Sequence, residues 1–408
     1  MKRIGPFSQV VTLRRLPLKG PIADDQLEII TNGGIVVDNG YVRAVGRFDE
    51  LGRGYPHAAI EEIHGNHTLV PGFIDCHTHI CFAGNRARDY AMRVAGRSYL
   101  DIAAAGGGIW DSVLQTRAAD PHELALSTAG RANRLLQAGV TSIEVKSGYG
   151  LSADSELAML RAIAKAREHT PADLIPTCLA AHMKPRDFSG DESAYIDHIL
   201  MDLLPVVRNE GLAQRVDIFI EASAFKPSNG RYYLQKAKSL GFVLTVHADQ
   251  FSTGGAEVAV QCGAVSADHL EASTDQQINL LSRSNTVAVV LPGASMGLGM
   301  GFAPARRLLN AGACVAIASD WNPGSAPMGD LLTQAAVLGA YEKLTLAETL
   351  AGLTFRAAMA LKLSDRGTLD VGSLADVQAY PTADYRDILY NQGSLKPMYT
   401  WKKGIRCQ

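Results

Sequence analysis

Over residues 1–68, apolar and polar positions form short extended pieces separated by turns. In "GGIVVDNGYVRAVGR", two β-type runs flank Asp38-Asn39-Gly40, the chemistry of a tight hairpin. The segment 366–408 has the same texture, with "GSLADVQAY" and "KPMYTWKKGIRC" as expected strands after a helical stretch at "AETLAGLTFRAAMAL". These two β-rich ends are expected to pair into one small β-sandwich domain. The middle, 69–365, has another rhythm. Apolar or β-branched runs recur at 72–79, 141–146, 175–182, 216–221, 242–249, 266–269, 286–293 and 314–320. Between them lie segments of helical spacing such as "DSELAMLRAIAKAREH" and "HELALSTAGRANRLLQAG", the second stopping at Gly139. Strands alternating with helices predict parallel βαβ units, and eight such units predict a closed (β/α)8 barrel, so the fold class is α/β.

A barrel of this kind keeps its active site at the C-terminal ends of its strands. Those ends carry His77 and His79, Lys146, His182, Glu221, His247 with Asp249, His269 and Asp320, while one strand finishes in Leu291-Pro292-Gly293. Five of the chain's eleven histidines therefore gather there. His77 and His79 are two apart and share one strand face, with Cys76 and Thr78 on the other. A lone His-x-His is ordinarily a hydrogen-bonded structural pair. His247 and Asp320 change that balance, because each closes a buried run that has no other reason to end on a polar group. Together the four form a candidate site for one zinc or iron ion with a position left for water. His57, His64, His67, His122, His169 and His198 fall in loops or helices and keep the structural reading.

Composition narrows the class without adding chemistry. Apolar residues make up 47% of the chain and charged residues 20%, with a formal net charge of -2, which gives no reason to expect nucleic acid or a membrane as partner. The six cysteines show no short-spaced pairs, and no apolar run reaches the ~18 residues of a membrane span, so a cytoplasmic protein with reduced thiols is expected. A homodimer is the expected assembly, as the commonest closed one. Two glycine-rich stretches attract attention and fit no nucleotide fingerprint: Gly106–Gly108 lacks a following GK[ST], and "GASMGLGMGF" lacks the acidic partner of a dinucleotide site. The first is read as letting a loop pass near substrate, the second as a flexible loop over the mouth.

"PGFIDCHTH", "HADQ", "SADHLE" and "ASDWNPGS" resemble the metal-dependent amidohydrolase superfamily. "GGGIWDSVLQTRAA", "EVKSGYGL", "AAHMKP", "VLPGAS" and "SDWNPGSAP" are similar, in order, to the imidazolonepropionase family within it. The resemblance implies a (β/α)8 barrel with a β-sandwich from both chain ends, and one Zn(2+) or Fe(3+) ion held by His77, His79, His247 and Asp320. It also implies substrate contacts at Arg86, Tyr149, His182, Asn322, Gly324 and Ser325. The activity implied is hydrolytic opening of 4-imidazolone-5-propanoate to N-formimidoyl-L-glutamate, in histidine degradation.

These residues suit that chemistry. Asp320 can take a proton from water and pass it to the leaving nitrogen, and His269 can stabilise the oxyanion or orient the water. Arg86 offers a bidentate fork to a small substrate's carboxylate tail, against the plainer reading of a surface arginine; Tyr149 adds a donor, or is simply a packed loop aromatic. At Gln250 the chain departs from many amidohydrolases, which have a proton-shuttling glutamate there. A glutamine orients the ring without moving protons, and whether neighbouring Asp249 supplies the acid is left open. Two other readings stand: a deaminase acting on cytosine- or guanine-like rings, disfavoured by Gln250 and Arg86, and a metal-free scaffold, disfavoured by the complete ligand set. Lys146 is read as structural or substrate-facing.

Overall fold

In the computed structural model, which describes residues 1–97, 101–102 and 105–407, all eight middle runs form strands. They follow the end-sheet strands β1 (Lys2–Val11), β2 (Ile29–Asp38), β3 (Tyr41–Arg47), β4 (Ala59–Glu62) and β5 (Thr68–Pro71). The eight are β6 (Phe73–Asp75), β7 (Val140–Lys146), β8 (Asp173–Ala181), β9 (Arg215–Ile220), β10 (Val243–Ala248), β11 (Ser266–His269), β12 (Val287–Val290) and β13 (Val315–Ile317). Each pairs in parallel with its neighbour in chain order, from β6 to β13.

The sheet closes on itself through individual bonds rather than a ladder. Thr78 bridges Trp321, Asp320 N–H donates to His77 O at 3.0 Å, and His79 N–H donates to Trp321 O at 2.9 Å. The strands at this seam are shorter than the sequence suggested, because the Asp75 carboxylate takes the Ser319 amide at 3.0 Å and interrupts the backbone pairing. His77 and His79 consequently follow β6 instead of lying within it.

Helices fill the intervals for local reasons. Asp120 caps helix Pro121–Gln137, accepting from His122 and Glu123 N–H, with proline at its first position, and Gly139 at φ 87° lets the chain turn into β7. Ser152 caps Ala153–Ala166 in the same way. The stretch "AETLAGLTFRAAMAL" is two helices, Leu346–Gly352 and Phe355–Ala360, parted at Thr354. "GASMGLGMGF" is not a flexible loop: Pro292–Leu298 is helical, and its first turn is buried.

Both chain ends build the second sheet. It adds β14 (Val377–Tyr380), β15 (Tyr399–Lys402) and β16 (Ile405–Arg406), in the order β16-β15-β14-β5-β1-β2-β3, with β4 also on β1. The Asp38-Asn39-Gly40 hairpin forms as read, with Asn39 and Gly40 at φ 49° and 84°. β1 is long, bulged between Ile4 and Phe7, and paired along one edge first by β4 and then by β5. Side chains from both of its halves meet Val377, Ala379 and Trp401 in a core separate from that of the barrel. From β5 the chain steps through Gly72 into β6, where a Cβ would stand 2.4 Å from Thr141 Oγ1.

An ion cluster joins the two sheets. Asp173, at the start of β8, lies 2.7 Å from Lys402 Nζ on β15 and 2.5 Å from Arg366, and Lys402 also pairs with Asp376. Burial works to raise the Asp173 pKa, but Lys402 and Arg366 outweigh it and hold the carboxyl below its usual range. A depressed folded-state pKa gives stability that is present above the unfolded value, near ~3.9, and is lost as pH falls through the folded one. Asp173→Asn should therefore lower the melting temperature at neutral pH, and the gap from the parent should close below about pH 4 in melts across that range. A gap that does not change with pH would show that the pair does not stabilise the junction.

Candidate active site

The strand ends converge as the barrel topology requires. His79 Nε2 lies 3.2 Å from His247 Nε2 and 3.4 Å from Asp320 Oδ1, and His77 Nε2 lies 3.6 Å from the same carboxylate oxygen. His77, His79 and His247 form a group able to hold one metal ion, and all three are buried. Burial, reinforced by Lys146 and by neighbouring imidazoles, holds His77 and His79 well below the usual imidazole range, and it pushes His247 down to about 3 despite Asp217. Neutral imidazoles are what a cation needs.

The tautomers can be argued from the partners behind the rings. His77 Nδ1 is 2.7 Å from Asp268 Oδ2, and His247 Nδ1 is 2.9 Å from Asp217 Oδ2. A nitrogen facing a buried carboxylate carries the proton, so each Nε2 turns a lone pair toward the common centre. His77 Nε2 has no hydrogen-bond partner although it is fully buried. Converging lone pairs and a carboxylate oxygen, with an orphaned nitrogen among them, fit a single cation. Asp217 and Asp268 were missed in the sequence. The available signal was an acid inside an apolar run, which needs a buried partner.

Above the ligands opens a cavity of about 760 Å3. Arg86, Tyr149, His182, Gln250, His269, Asn322, Gly324 and Ser325 all line it, as do Arg93 and Glu221. His182 donates from Nδ1 to Gly148 O at 3.0 Å, which leaves Nε2 as an acceptor, and its ring stacks on His79 with 5.4 Å between centroids. Burial lowers it to about 4, so it is neutral. His269 differs. Burial alone would lower its pKa, but the carboxylate of Glu271, with Oε2 3.6 Å from Nδ1, carries it above the usual value. Ser295 Oγ fixes Glu271 from behind at 3.0 Å. Positive φ at Asp249, His269, Leu270 and Asp320 bends the chain at these strand ends.

The amidohydrolase family model matches residues 68–405. The imidazolonepropionase of Symbiobacterium thermophilum is 41% identical over 397 residues, covering 94% of this chain and 92% of the relative. The chain belongs to the imidazolonepropionases of the amidohydrolase family. The imidazolonepropionase of Pseudomonas aeruginosa is 39% identical over 400 residues, 97% of each chain. A crystal structure of an adenosine deaminase from Xanthomonas campestris with bound zinc shares the fold, with a TM-score of 0.71 at 18% identity over 99% of this chain and 92% of that one.

Several amidohydrolase positions read differently once placed. Asp249 faces away from the cavity: it accepts from Gly255 and Ala256 N–H and from Ser273 Oγ, and so caps helix Gly255–Cys262. Gln250 is the one that faces inward. Glu221 is spent on the loop after β10, accepting from the amides of Phe251 and Ser252. Asn322 is occupied within its own turn, donating to Asp320 O and Ser325 Oγ and accepting from Gly324 and Ser325 N–H. Its side chain shapes the pocket wall. Lys146 is fully buried and does not reach the cavity. The triglycine passes close to Asp89: Gly108 N–H donates to Asp89 Oδ2 at 2.8 Å, and a Cβ on Gly107 would meet Oδ1 at 2.1 Å.

That contact matters because Asp89 also accepts from Arg86 Nε at 2.7 Å, which turns the remaining guanidinium edge to the cavity. Gly324 closes the other side, where a Cβ would stand 2.2 Å from Arg86 Nη1. Gly324→Ala should therefore displace the guanidinium and raise KM for a carboxylate-bearing substrate on the order of tenfold, with metal content unchanged. An unaltered KM would mean that Arg86 is not held by this packing.

Proposed function

We propose that this chain opens the ring of 4-imidazolone-5-propanoate with water, giving N-formimidoyl-L-glutamate, with one Zn(2+) or Fe(3+) ion per chain. The observation that carries the reading is a histidine–aspartate cluster on the floor of a cavity whose wall presents Arg86, 12% exposed and pinned by Asp89, in a chain 41% identical to an imidazolonepropionase. His77, His79, His247 and Asp320 would hold the ion. When bound, it supplies Lewis acidity, lowering the pKa of water toward ~7 and polarising a carbonyl.

The chain's own groups supply the rest. Arg86 grips the propanoate through its free edge, with Tyr149 beside it. His182 Nε2 accepts from a ring N–H, and Gln250 hydrogen-bonds the ring without exchanging protons. Asp320 takes the proton from the attacking water and returns it to the leaving ring nitrogen, so that the C–N bond breaks as that nitrogen is protonated. His269, whose pKa the Glu271 carboxylate raises, donates to the oxygen on which negative charge develops. A cytosine- or guanine-type deaminase fits less well, since Gln250 cannot shuttle protons and Arg86 would face no carboxylate.

Metal analysis combined with turnover assays on imidazolone propanoate and on cytosine tests the reading. One ion per chain and turnover of the first substrate alone are expected. Turnover of cytosine alone would overturn it.

A further inference from the structure

Beneath the ligands, the barrel interior holds more charge than the reaction uses. Lys146 Nζ lies 2.7 Å from Glu144 Oε1, 2.8 Å from Asp217 Oδ2 and 3.9 Å from Asp268 Oδ2, and all four side chains are at most 1% exposed. Each carboxylate bears on a different part of the ligand set. Glu144 Oε2 accepts the Thr78 backbone N–H at 3.2 Å, between His77 and His79, while Thr78 Oγ1 donates back to Glu144 O at 2.6 Å. Asp217 Oδ1 accepts the His247 backbone N–H at 3.1 Å, and its Oδ2 faces His247 Nδ1. Asp268 faces His77 Nδ1. Three dry carboxylates this close would repel one another without a cation between them.

We infer that Lys146 is a positioning residue of the metal centre: one buried ammonium holds together three carboxylates, and through them sets the aim of His77, His79 and His247. Its strand, β7, lies between the seam and β8, so it ties supports on β9 and β11 back to the ligand segment after β6. The inference rests on reading the cluster as a metal site, and not on the identity of the substrate.

The test measures metal affinity by chelator competition on the metal-loaded full chain, alongside circular dichroism and melting of the metal-free form. Lys146→Met should keep the folded spectrum and lose about ten- to a hundredfold in affinity, the scale for groups that orient ligands from behind. Glu144→Gln/Lys146→Met removes opposite charges together and leaves Asp217 and Asp268 without their cation; it should show the same loss, and it serves if the single variant does not fold. Parental affinity in a folded variant, even one with a lowered melting temperature, would reduce Lys146 to a packing role and overturn the inference. Failure of the parent chain itself to take up metal would instead overturn the reading of the cluster, and this inference with it.

Discussion

Asp320→Asn is expected to cut turnover by about two to four orders of magnitude while the barrel stays folded. Asparagine keeps the shape and one acceptor oxygen, so the loss would come from the missing charge and from the missing proton acceptor. The backbone should not resist the change: Asp320 sits at φ 51°, a conformation that asparagine tolerates better than almost any other residue. The seam bond from Asp320 N–H to His77 O and the bond from Asn322 to Asp320 O involve only backbone atoms of Asp320 and survive the substitution. His77→Ala should act by another route, removing the orphaned Nε2 and leaving Asp268 without its imidazole, so metal content should fall below one ion per chain. Parallel kcat and elemental metal measurements separate the two. Variants that keep both full metal and full activity would show that the site has been misassigned.

Arg86→Met should raise KM for the propanoate-bearing substrate by one to two orders of magnitude, the scale of a lost charge-assisted pair worth ~1.5 to 3 kcal/mol. The guanidinium is part of a mount, because Asp89 holds Nε and is itself held by the Gly108 amide. Methionine fills the volume but leaves the Asp89 carboxylate with one partner fewer, so part of the effect could be structural. A substrate analogue without the carboxylate distinguishes the two causes. If Arg86 reads the tail, parent and variant should handle that analogue alike, and Arg86→Lys should recover only part of the affinity, since an ammonium cannot make the fork. An unchanged KM with the natural tail would remove Arg86 from the pocket.

The barrel was legible because its signals are local. Each apolar run is bounded by turn or helix chemistry within a few residues, and each became a strand. Strand ends at the seam were not legible, since an extended run does not reveal whether its neighbour offers a ladder or, as at Asp75 and Ser319, a side chain. The helix Pro292–Leu298 was misread from its glycines, whose poor helix propensity is outweighed by Pro292 at the first position and by burial of the first turn. The four ligands stood out because each ends a hydrophobic run. Glu144, Asp217 and Asp268 did not, because what makes them functional is an imidazole or an amide contributed by a distant part of the chain. Asp249 and Gln250 show the same limit at one-residue resolution: both are polar and adjacent, and only the backbone turn at Asp249 decides which one faces the cavity.

The seam between β13 and β6 gives this arrangement a mechanical side. His77 and His79 sit on one lip, Asp320 on the other, and the bonds that sew the lips together come from the backbone of these same residues and of Trp321 beside Asp320. Barrel girth at the mouth and spacing of the donor atoms are thus one variable. The amide protons of His79 and Asp320 become natural gauges of it, exchanging more slowly when the lips are drawn together from inside than when only the stitches hold them.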